Sequence, residues 1–416
     1  MIINKKPPEL LVPVQNWKSL KYIKNIPNAI YFGIDKYNMR LKADNFQRSD
    51  LSKITEYCHN QEPKIKSYLC TNIIIYNSEL EDLELLIKEA KVANVDAIIA
   101  HDIAAINLAK KFKLKFHIST QANISNIESA IFYEAIGAER IVLARELSLN
   151  QIKEIKKKLK ISKIECFIHG SMCTSISGRC YLSATICESE KFSANRGLCT
   201  QPCRREWKMI DDENHEIIYD GKLFLNAKDL CMIEYIPELI NSNIDAFKIE
   251  GRMKNPLYVK TVAQCYKEAI NSYFEGTYNK EKARKWLRKV SNVYNRGFHT
   301  GFYFQKPTIK GIQLQKRGNI SSYKKQYIGK ILSYKESTGS AKILIENINI
   351  SIENGNKIII IGEDTYLDDT IKKIIYNGKK VRSIKRKKEE SPIEAKISLK
   401  NKVKCNDKIY TYIKSD

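Results

Sequence analysis

Glycine and proline are scarce in this sequence, at 17 and 10 of 416 residues. The scarcity excludes collagen-like chains and chains dominated by flexible linkers. No apolar run approaches the ~20 residues that a membrane helix needs, and the first residues lack an apolar core typical of a signal peptide. We therefore expect a cytosolic protein without a membrane partner. Hydrophobic residues at 43% and charged residues at 28% indicate a globular chain, and its length suits two or three domains or one large barrel with an appendage.

Acidic residues are also under-represented, with 47 against 71 lysines and arginines, which gives a formal net charge of +24. A polyanionic partner, nucleic acid first, is one explanation. A general drift of composition towards Lys, Ile and Asn is the other. Residues 305–416 hold 25 basic and 12 acidic residues, which is more than half of the excess in about a quarter of the chain. This uneven distribution favours a basic surface in the C-terminal part.

Short apolar runs alternate with amphipathic patterns over the first 270 residues. Residues 78–94, 123–138 and 255–274 have helical periodicity, and Ser78 has the spacing of an N-cap. The predicted strands are 9–14, 29–34, 65–70, 97–101, 115–120, 140–144, 163–169 and 246–251. Eight strands in this alternation predict an α/β fold, a (β/α)8 TIM-like barrel. An open doubly wound sheet is the structural alternative.

The pattern changes after the barrel. Residues 1–290 are predicted to form the core domain, with a cysteine-rich insertion at 165–231. A linker is expected at 291–325. Residues 326–416 then show period-two strands, and Asn354-Gly355 and Asn377-Gly378 are turn signals. This last segment predicts a small basic β-barrel domain at the C-terminus.

Several catalytic signatures are missing. The sequence has no H-E-x-x-H, no G-x-S-x-G and no pair of C-x2-C motifs, so metallopeptidase, serine hydrolase and zinc-ribbon functions have no sequence support. Cysteines, by contrast, are clustered: six of the 11 lie between Cys166 and Cys203, and Cys231 follows. Thiolates at irregular spacing in one loop favour an iron–sulfur cluster, with zinc or buried free cysteines as alternatives. His169 lies four residues before Cys173, so a Cys–His nucleophile also stays open.

The run from Glu165 to Ser183 resembles the signature of the U32 collagenase-like peptidase family. Phe167, Gly170, Cys173 and Cys180 are among the matching positions. The segments AIYFGI, HISTQANISN, NRGLCTQPCR, NAKDLC and FKIEGRMKNPLYV resemble further blocks of that family. The resemblance covers about residues 9–300 and, more weakly, the C-terminal β domain.

The family's members differ in chemistry. Some have been described as peptidases or collagenases, whereas others act in RNA hydroxylation or in oxygen-independent ubiquinone hydroxylation. The resemblance implies a 4Fe–4S cluster whose metal ligands would be Cys173, Cys180, Cys199 and Cys231. Cys203 is the alternative to one of these four, since C-x3-C pairs bind the cluster in one subgroup.

Length and the terminal β domain are similar to the members that hydroxylate tRNA. The resemblance then implies 5-hydroxyuridine synthesis at the wobble position, with the tRNA anticodon loop as partner, no DNA partner, and prephenate or a related metabolite as input. A U32-type endopeptidase is the alternative, and an RNA-binding scaffold with a structural metal is a third hypothesis.

Polar residues at the expected barrel mouth are the catalytic candidates. They are Gln121, His169, Glu250 and Arg252. Each has a structural alternative, because Gln121 suits a helix cap, His169 a core histidine, and Glu250 with Arg252 a local ion pair. Arg196 and Arg204 flank cysteines of the insertion, where they would tune a cluster's charge, hold phosphate or face solvent.

Overall fold

The computed structural model describes residues 6–177, 179–217, 223–363 and 365–414. The chain forms two compact units, of which one ends at Ile320 and the other begins at Ser321. The strands of the first unit are β1 (Glu9–Pro13), β2 (Ala29–Phe32), β3 (Lys66–Thr71), β4 (Ala97–Ala100), β5 (Phe116–Ile118), β6 (Arg140–Val142), β7 (Lys163–Ser171), β8 (Met209–Ile210), β9 (Glu216–Ile217), β10 (Asp229–Cys231), β11 (Ala246–Ile249) and β12 (Phe298–His299).

Eight parallel strands of this unit close into a barrel. Strands β1 to β7 pair in chain order, and β11 pairs with both β7 and β1, which completes the ring. Most residues of these strands are buried, as expected of parallel strands covered on both faces. The predicted (β/α)8 barrel is therefore confirmed, with each of its eight strands at the predicted place. The open doubly wound sheet was the wrong alternative.

Helices cover the outside of the barrel. Their bounds are α1 (Trp17–Tyr22), α2 (Leu51–His59), α3 (Leu80–Val92), α4 (Ile103–Lys111), α5 (Ile127–Ala135), α6 (Leu149–Lys158), α7 (Leu182–Ile186), α8 (Ile236–Asn241), α9 (Pro256–Phe274) and α10 (Lys280–Ser291). None of the helices in the described residues combines the length and the apolar character needed to cross a bilayer.

Local sequence sets many of the helix starts. Side chains of Asn126 and Asn255 accept hydrogen bonds from backbone N–H groups in the first turns of α5 and α9. The expected Ser78 cap is wrong. A short 3-10 turn spans Asn77–Glu79, α3 starts at Leu80, and the Glu79 carboxylate accepts from the Tyr76 N–H.

The insertion leaves the barrel after β7 and returns at β11. Strand β10 pairs antiparallel with the end of β7, and β12 pairs parallel with β10. The insertion therefore extends the wall of the barrel beyond the carboxyl end of β7. Helix α7 and the β8–β9 hairpin lie within it.

The second unit is antiparallel. Its strands are β13 (Tyr323–Lys335), β14 (Ser340–Ile345), β15 (Ser351–Glu353), β16 (Lys357–Ile361), β17 (Tyr366–Thr370), β18 (Ile374–Tyr376), β19 (Lys379–Val381), β20 (Ser383–Lys385), β21 (Ile393–Ser398) and β22 (Lys408–Lys414). Eight of them form one sheet in the order β17-β16-β22-β13-β14-β21-β18-β19, and β15 pairs with β20. Isoleucines dominate its core. The predicted C-terminal β domain is confirmed as an antiparallel sheet; among the described residues, no pairing joins its end strands β17 and β19 into the closed barrel that was expected.

Candidate active site at the carboxyl end of the barrel

Two adjoining cavities lie where the barrel strands end. The larger, the cysteine chamber, has a volume of about 250 Å³ and is lined by Cys173, Cys180, Cys199 and Cys203. The smaller, the inner cup, has about 40 Å³ and is lined by Tyr31, Glu250 and Arg252 among others. Both cavities share five lining residues, which are Met39, Arg40, Thr120, Gln121 and Arg145. They therefore form one continuous site.

The insertion forms the chamber because several polar contacts hold it against the barrel. Arg196 forms an ion pair with Glu79 at 2.5 Å and donates to the Ile74 carbonyl. The Asn195 carbonyl accepts from the Ile74 N–H of the barrel at 3.5 Å, and within the insertion the Asn195 side chain accepts from the Cys180 N–H at 3.0 Å. Arg196 is thus a structural contact between insertion and barrel.

Gly197 allows a close approach of two backbones in the chamber wall. Its φ is +80°, and a Cβ there would lie 2.3 Å from the Asn38 carbonyl oxygen. Gly170 has a φ of +110° and approaches the Glu250 carbonyl in the same way. These glycines therefore permit packing within the protein; Gly178, the third glycine of the motif, lies outside the described residues.

The chamber is cationic. Five basic side chains line it, against one acidic residue, Glu146; the basic residues are Arg40, Lys42, Arg145, Arg179 and Arg204. Burial raises the pKa of the Cys203 thiol, and the neighbouring Cys173 and Cys199 raise it further, while Arg204 opposes them. Three cysteines are therefore close enough to influence one another's charge. Among the described residues, no three Cys, His, Asp or Glu side chains are already arranged around a single metal position.

Cys231 lies elsewhere. It is 6% exposed, stands opposite His169 where β10 pairs with β7, and receives a long contact of 4.0 Å from the Tyr266 hydroxyl. Burial raises its pKa to about 12. Of the four cysteines expected as metal ligands, the structure brings Cys173, Cys180 and Cys199 to the chamber, together with Cys203, whereas Cys231 does not line it.

His169 is also set back from both cavities. Its exposure is 1%, its Nδ1 lies 3.3 Å from the Tyr266 hydroxyl, and the rings of Tyr258, Tyr266 and Phe298 surround it. Burial lowers its pKa to about 4, so the ring is neutral at pH 7. Neither cavity is lined by this histidine.

Glu250 and Arg252 meet in the inner cup. Glu250 accepts from Arg40 at Nη2 (2.8 Å) and Nε (3.1 Å), and from the Tyr31 hydroxyl at 3.4 Å. Burial by itself would raise the Glu250 pKa, but Arg40, Arg145 and Arg252 together outweigh it and lower the pKa to about 2. The carboxylate is therefore ionised at neutral pH.

The cup holds more positive charge than its one glutamate neutralises. Arg252 is 2% exposed and donates through Nη2 to Asn38, while its Nη1 has no hydrogen-bond partner among the described residues. Arg145 stacks 3.9 Å from the Phe167 ring centroid and donates to the Ser171 carbonyl, and its Nε is likewise unpartnered. Buried donors without acceptors are costly, so this arrangement is suited to an anionic ligand.

Gln121 stands between cup and chamber. Its Oε1 accepts from Asn72 Nδ2 at 3.2 Å and from the Ser119 hydroxyl. These two bonds engage only the oxygen of the side-chain amide. Gln121 lines both cavities, so its NH2 group is the part of the amide that is left for a ligand. Sequence reasoning missed Arg40 and Asn72, although the long connection after β2 was visible and Arg40 lies in it.

The chain matches Peptidase family U32 over residues 15–313. An uncharacterised protease of Methanocaldococcus jannaschii is 38% identical over 97% of both chains. A collagenase of Porphyromonas gingivalis is 36% identical over 98% of both. The tRNA hydroxylation protein P1 of Bacillus subtilis is 35% identical over 81% of this chain and 80% of that one. The resemblance noted in the sequence is confirmed, and the chain belongs to the U32 family.

Proposed function

We propose that this protein is an RNA hydroxylase that converts the wobble uridine of tRNA to 5-hydroxyuridine. The observation that carries the proposal is the joint presence, at the carboxyl end of the barrel, of four cysteines around a cationic chamber and of buried arginines with free donors beneath it. Active sites of this fold lie at that end of the barrel. The relative from Bacillus subtilis that is named for tRNA hydroxylation supports the choice of reaction.

The chamber fits an iron–sulfur cluster by its donor set. We propose Cys173, Cys180, Cys199 and Cys203 as the ligands of a 4Fe–4S cluster, with Cys203 in place of Cys231, the ligand that the family resemblance implied. Soft thiolates suit iron in such clusters, and nearby arginines favour the thiolate form. When bound, the cluster supplies electron-transfer chemistry. The residues around it exclude water and hold the reactants.

The inner cup is proposed to hold a carboxylate of the co-reactant, for which we propose prephenate. A cavity of about 40 Å³ has room for about three water molecules. One carboxylate group, with three heavy atoms, therefore fits the cup, and the rest of the molecule would lie in the chamber. Arg252 Nη1 and Arg145 Nε are the free donors. Glu250 would then position the arginines, because a carboxylate with a pKa near 2 is a poor proton acceptor at pH 7.

The outer rim of the chamber is suited to a nucleotide. Ile176 lines the chamber and is 67% exposed, and Tyr181, which lies between the lining residues Cys180 and Leu182 in the chain, is 65% exposed. Apolar and aromatic side chains stack on unpaired bases. Lys42 and Arg179 are available to phosphates. An anticodon loop offers its bases at little unstacking cost. Replacing C5–H by C5–OH is a two-electron oxidation of the base, so the reaction requires an oxygen donor and a net two-electron acceptor besides the uridine.

The test is mass spectrometry of tRNA nucleosides from a deletion strain that is complemented with the wild-type gene or with C203S. We expect 5-hydroxyuridine derivatives to disappear on deletion, to return with the wild type and to stay below a tenth with C203S. Unchanged nucleosides in the deletion strain would refute the assignment. Complementation with C265S, which alters a buried cysteine of α9, is the matched control and should restore modification.

A U32-type endopeptidase is the second candidate. The names of the Methanocaldococcus and Porphyromonas relatives favour it. Within the described residues, however, no cysteine lines the site together with a histidine, so the geometry lacks the paired base that a thiol nucleophile requires. A peptidase would cleave peptides after iron is removed by chelation; an RNA hydroxylase would not.

A further inference from the structure

A second large cavity opens at the opposite end of the barrel, where the strands begin. Its volume is about 570 Å³, and it is lined by residues at the starts of β1, β3, β6 and β7, together with side chains of α6 and α9. This size is typical of small-molecule sites. None of its lining residues belongs to the cysteine chamber or the inner cup.

Positive charge dominates this amino-end cavity. Seven basic and two acidic side chains line it, for a net charge of +5. The acidic residues are Glu9 and Asp245. Lys6, Lys64 and Lys163 are exposed, so water and salt screen part of the repulsion among these like charges, and a bound anion would lower it further.

Three of the cations are compensated by the protein itself. Lys66 pairs with Glu9 at 2.9 Å, and Lys156 pairs with Asp245 at 2.5 Å. Arg140 pairs with Glu9 at 2.7 Å and with the buried Glu165 at 3.0 Å. Both acidic residues of the cavity are therefore already engaged.

Four lysines remain without an ion pair in the part of the chain that the structure describes. They are Lys6, Lys64, Lys163 and Lys267. Lys267 is half-buried on α9, and burial lowers its pKa. Arg140 also lines the cavity; it is 2% exposed, and its Nε has no hydrogen-bond partner within the described residues.

We propose that the amino-end cavity is a binding site for a phosphate-bearing ligand, separate from the reaction at the carboxyl end. A phosphate group carries about −1.5 to −2 charges, so two or three of them match the excess where a single carboxylate does not. Lysines bind phosphate as mobile point charges. The phosphates come either from a small oligophosphate or from an RNA backbone, and the two sources share this chemistry.

The experiment titrates the full-length protein with inorganic tripolyphosphate by isothermal calorimetry, with citrate as the carboxylate comparison. We expect saturable 1:1 binding of tripolyphosphate, and citrate binding at least tenfold weaker. The double variant K163Q/K267Q should weaken tripolyphosphate binding at least tenfold. The matched control is K53Q/K110Q, which removes two exposed lysines of α2 and α4 outside the cavity and should change binding less than twofold.

Two outcomes would overturn the proposal: no saturable binding at millimolar tripolyphosphate, or equal weakening in both double variants, which would mean bulk charge only. If tripolyphosphate binds as expected, a competition experiment identifies the molecule that carries the phosphates. Displacement of tripolyphosphate by a ten-nucleotide oligouridine would identify RNA backbone, and failure to displace it would identify a small oligophosphate. Circular dichroism of each variant checks that the barrel is folded.

Discussion

The cysteine chamber and the buried region behind it lie on neighbouring segments, and burial raises the pKa of a thiol in both, but the groups around the two thiols differ. In the chamber, Cys203 is half-buried beside Arg204 and faces other cysteines across open space. Behind it, Cys231 is packed against Tyr266, and no cation is among the groups that influence its pKa. A metal ligand must be a thiolate. Burial without a compensating cation therefore counts against Cys231, although the family resemblance placed Cys231 in the ligand set and Cys203 only as an alternative.

The sharpest way to break this comparison is to remove one sulfur from each region. We expect C203S to lose more than nine-tenths of its iron and sulfide after anaerobic purification, and C231S to keep more than half, since only the former lines the chamber. Iron analysis and visible charge-transfer absorption measure this. Complete loss of iron in a folded C231S protein would return Cys231 to the ligand set.

A second variant addresses the cup. We expect R252M to lower tRNA modification by roughly 10- to 100-fold, the effect of losing a charged hydrogen bond of about 1.5–3 kcal/mol. Its melting temperature should stay within a few degrees of the wild type, because a buried guanidinium with a free Nη1 contributes little net stability. Nucleoside mass spectrometry and thermal denaturation give the two readings. A large loss of melting temperature with modest loss of modification would make Arg252 a structural residue through Asn38.

The chamber wall can be tested through glycine. G197A should destabilise the protein by about 2 kcal/mol or more, because the new Cβ combines positive φ with a clash against the Asn38 carbonyl. G276A is the matched control, with φ of +69° and nothing within 4 Å of the new Cβ, and should cost about 1 kcal/mol. Urea denaturation measures both. Equal losses in the free energy of unfolding for G197A and G276A would mean that the Asn38 backbone moves away from the new Cβ at little cost.

The last expected effect concerns the region behind the chamber and appears only at acidic pH. The His169 pKa falls from 6.5 to about 4 on folding, so its contribution to stability is present above pH 6.5 and is lost as the pH falls towards 4. The H169F variant should therefore lose less stability than the wild type over that interval, by at most about 3 kcal/mol. Urea denaturation at pH 7 and pH 4.5 measures this difference. Retention of more than half the tRNA modification would indicate a packing role, whereas its abolition would identify a catalytic one.

Much of the fold could be predicted from local patterns. Apart from His101 and Arg140, the runs 97–101 and 140–144 are apolar, which is the pattern of strands buried on both faces, and β4 and β6 lie there. In the second unit the predicted strands were 326–335, 340–350, 357–363, 379–388 and 407–413, so β15, β17, β18 and β21 were missed. The segment of β17 carries two aspartates, so its composition hides the strand, and only pairing with β16 reveals it.

The site was less accessible to such reasoning. Gln121, Glu250 and Arg252 were expected at the barrel mouth and line the cup, because the ends of parallel strands meet at one edge. His169 belongs to the same set by position, but β7 continues to Ser171 and carries that side chain into the packed region. Arg40 lies in the irregular connection after β2. Such a segment has no periodic pattern of apolar residues, so its position in the fold could not be predicted.

The sequence by itself determined the strand and helix order and the concentration of cysteines in one connection, because burial periodicity and composition are local properties. Only the tertiary structure decided which thiols face a common space, which arginines are left with unsatisfied donors, and that a cationic cavity opens at the far end. Those features depend on residues distant in the chain converging with particular burial, and burial sets the cost of each charge.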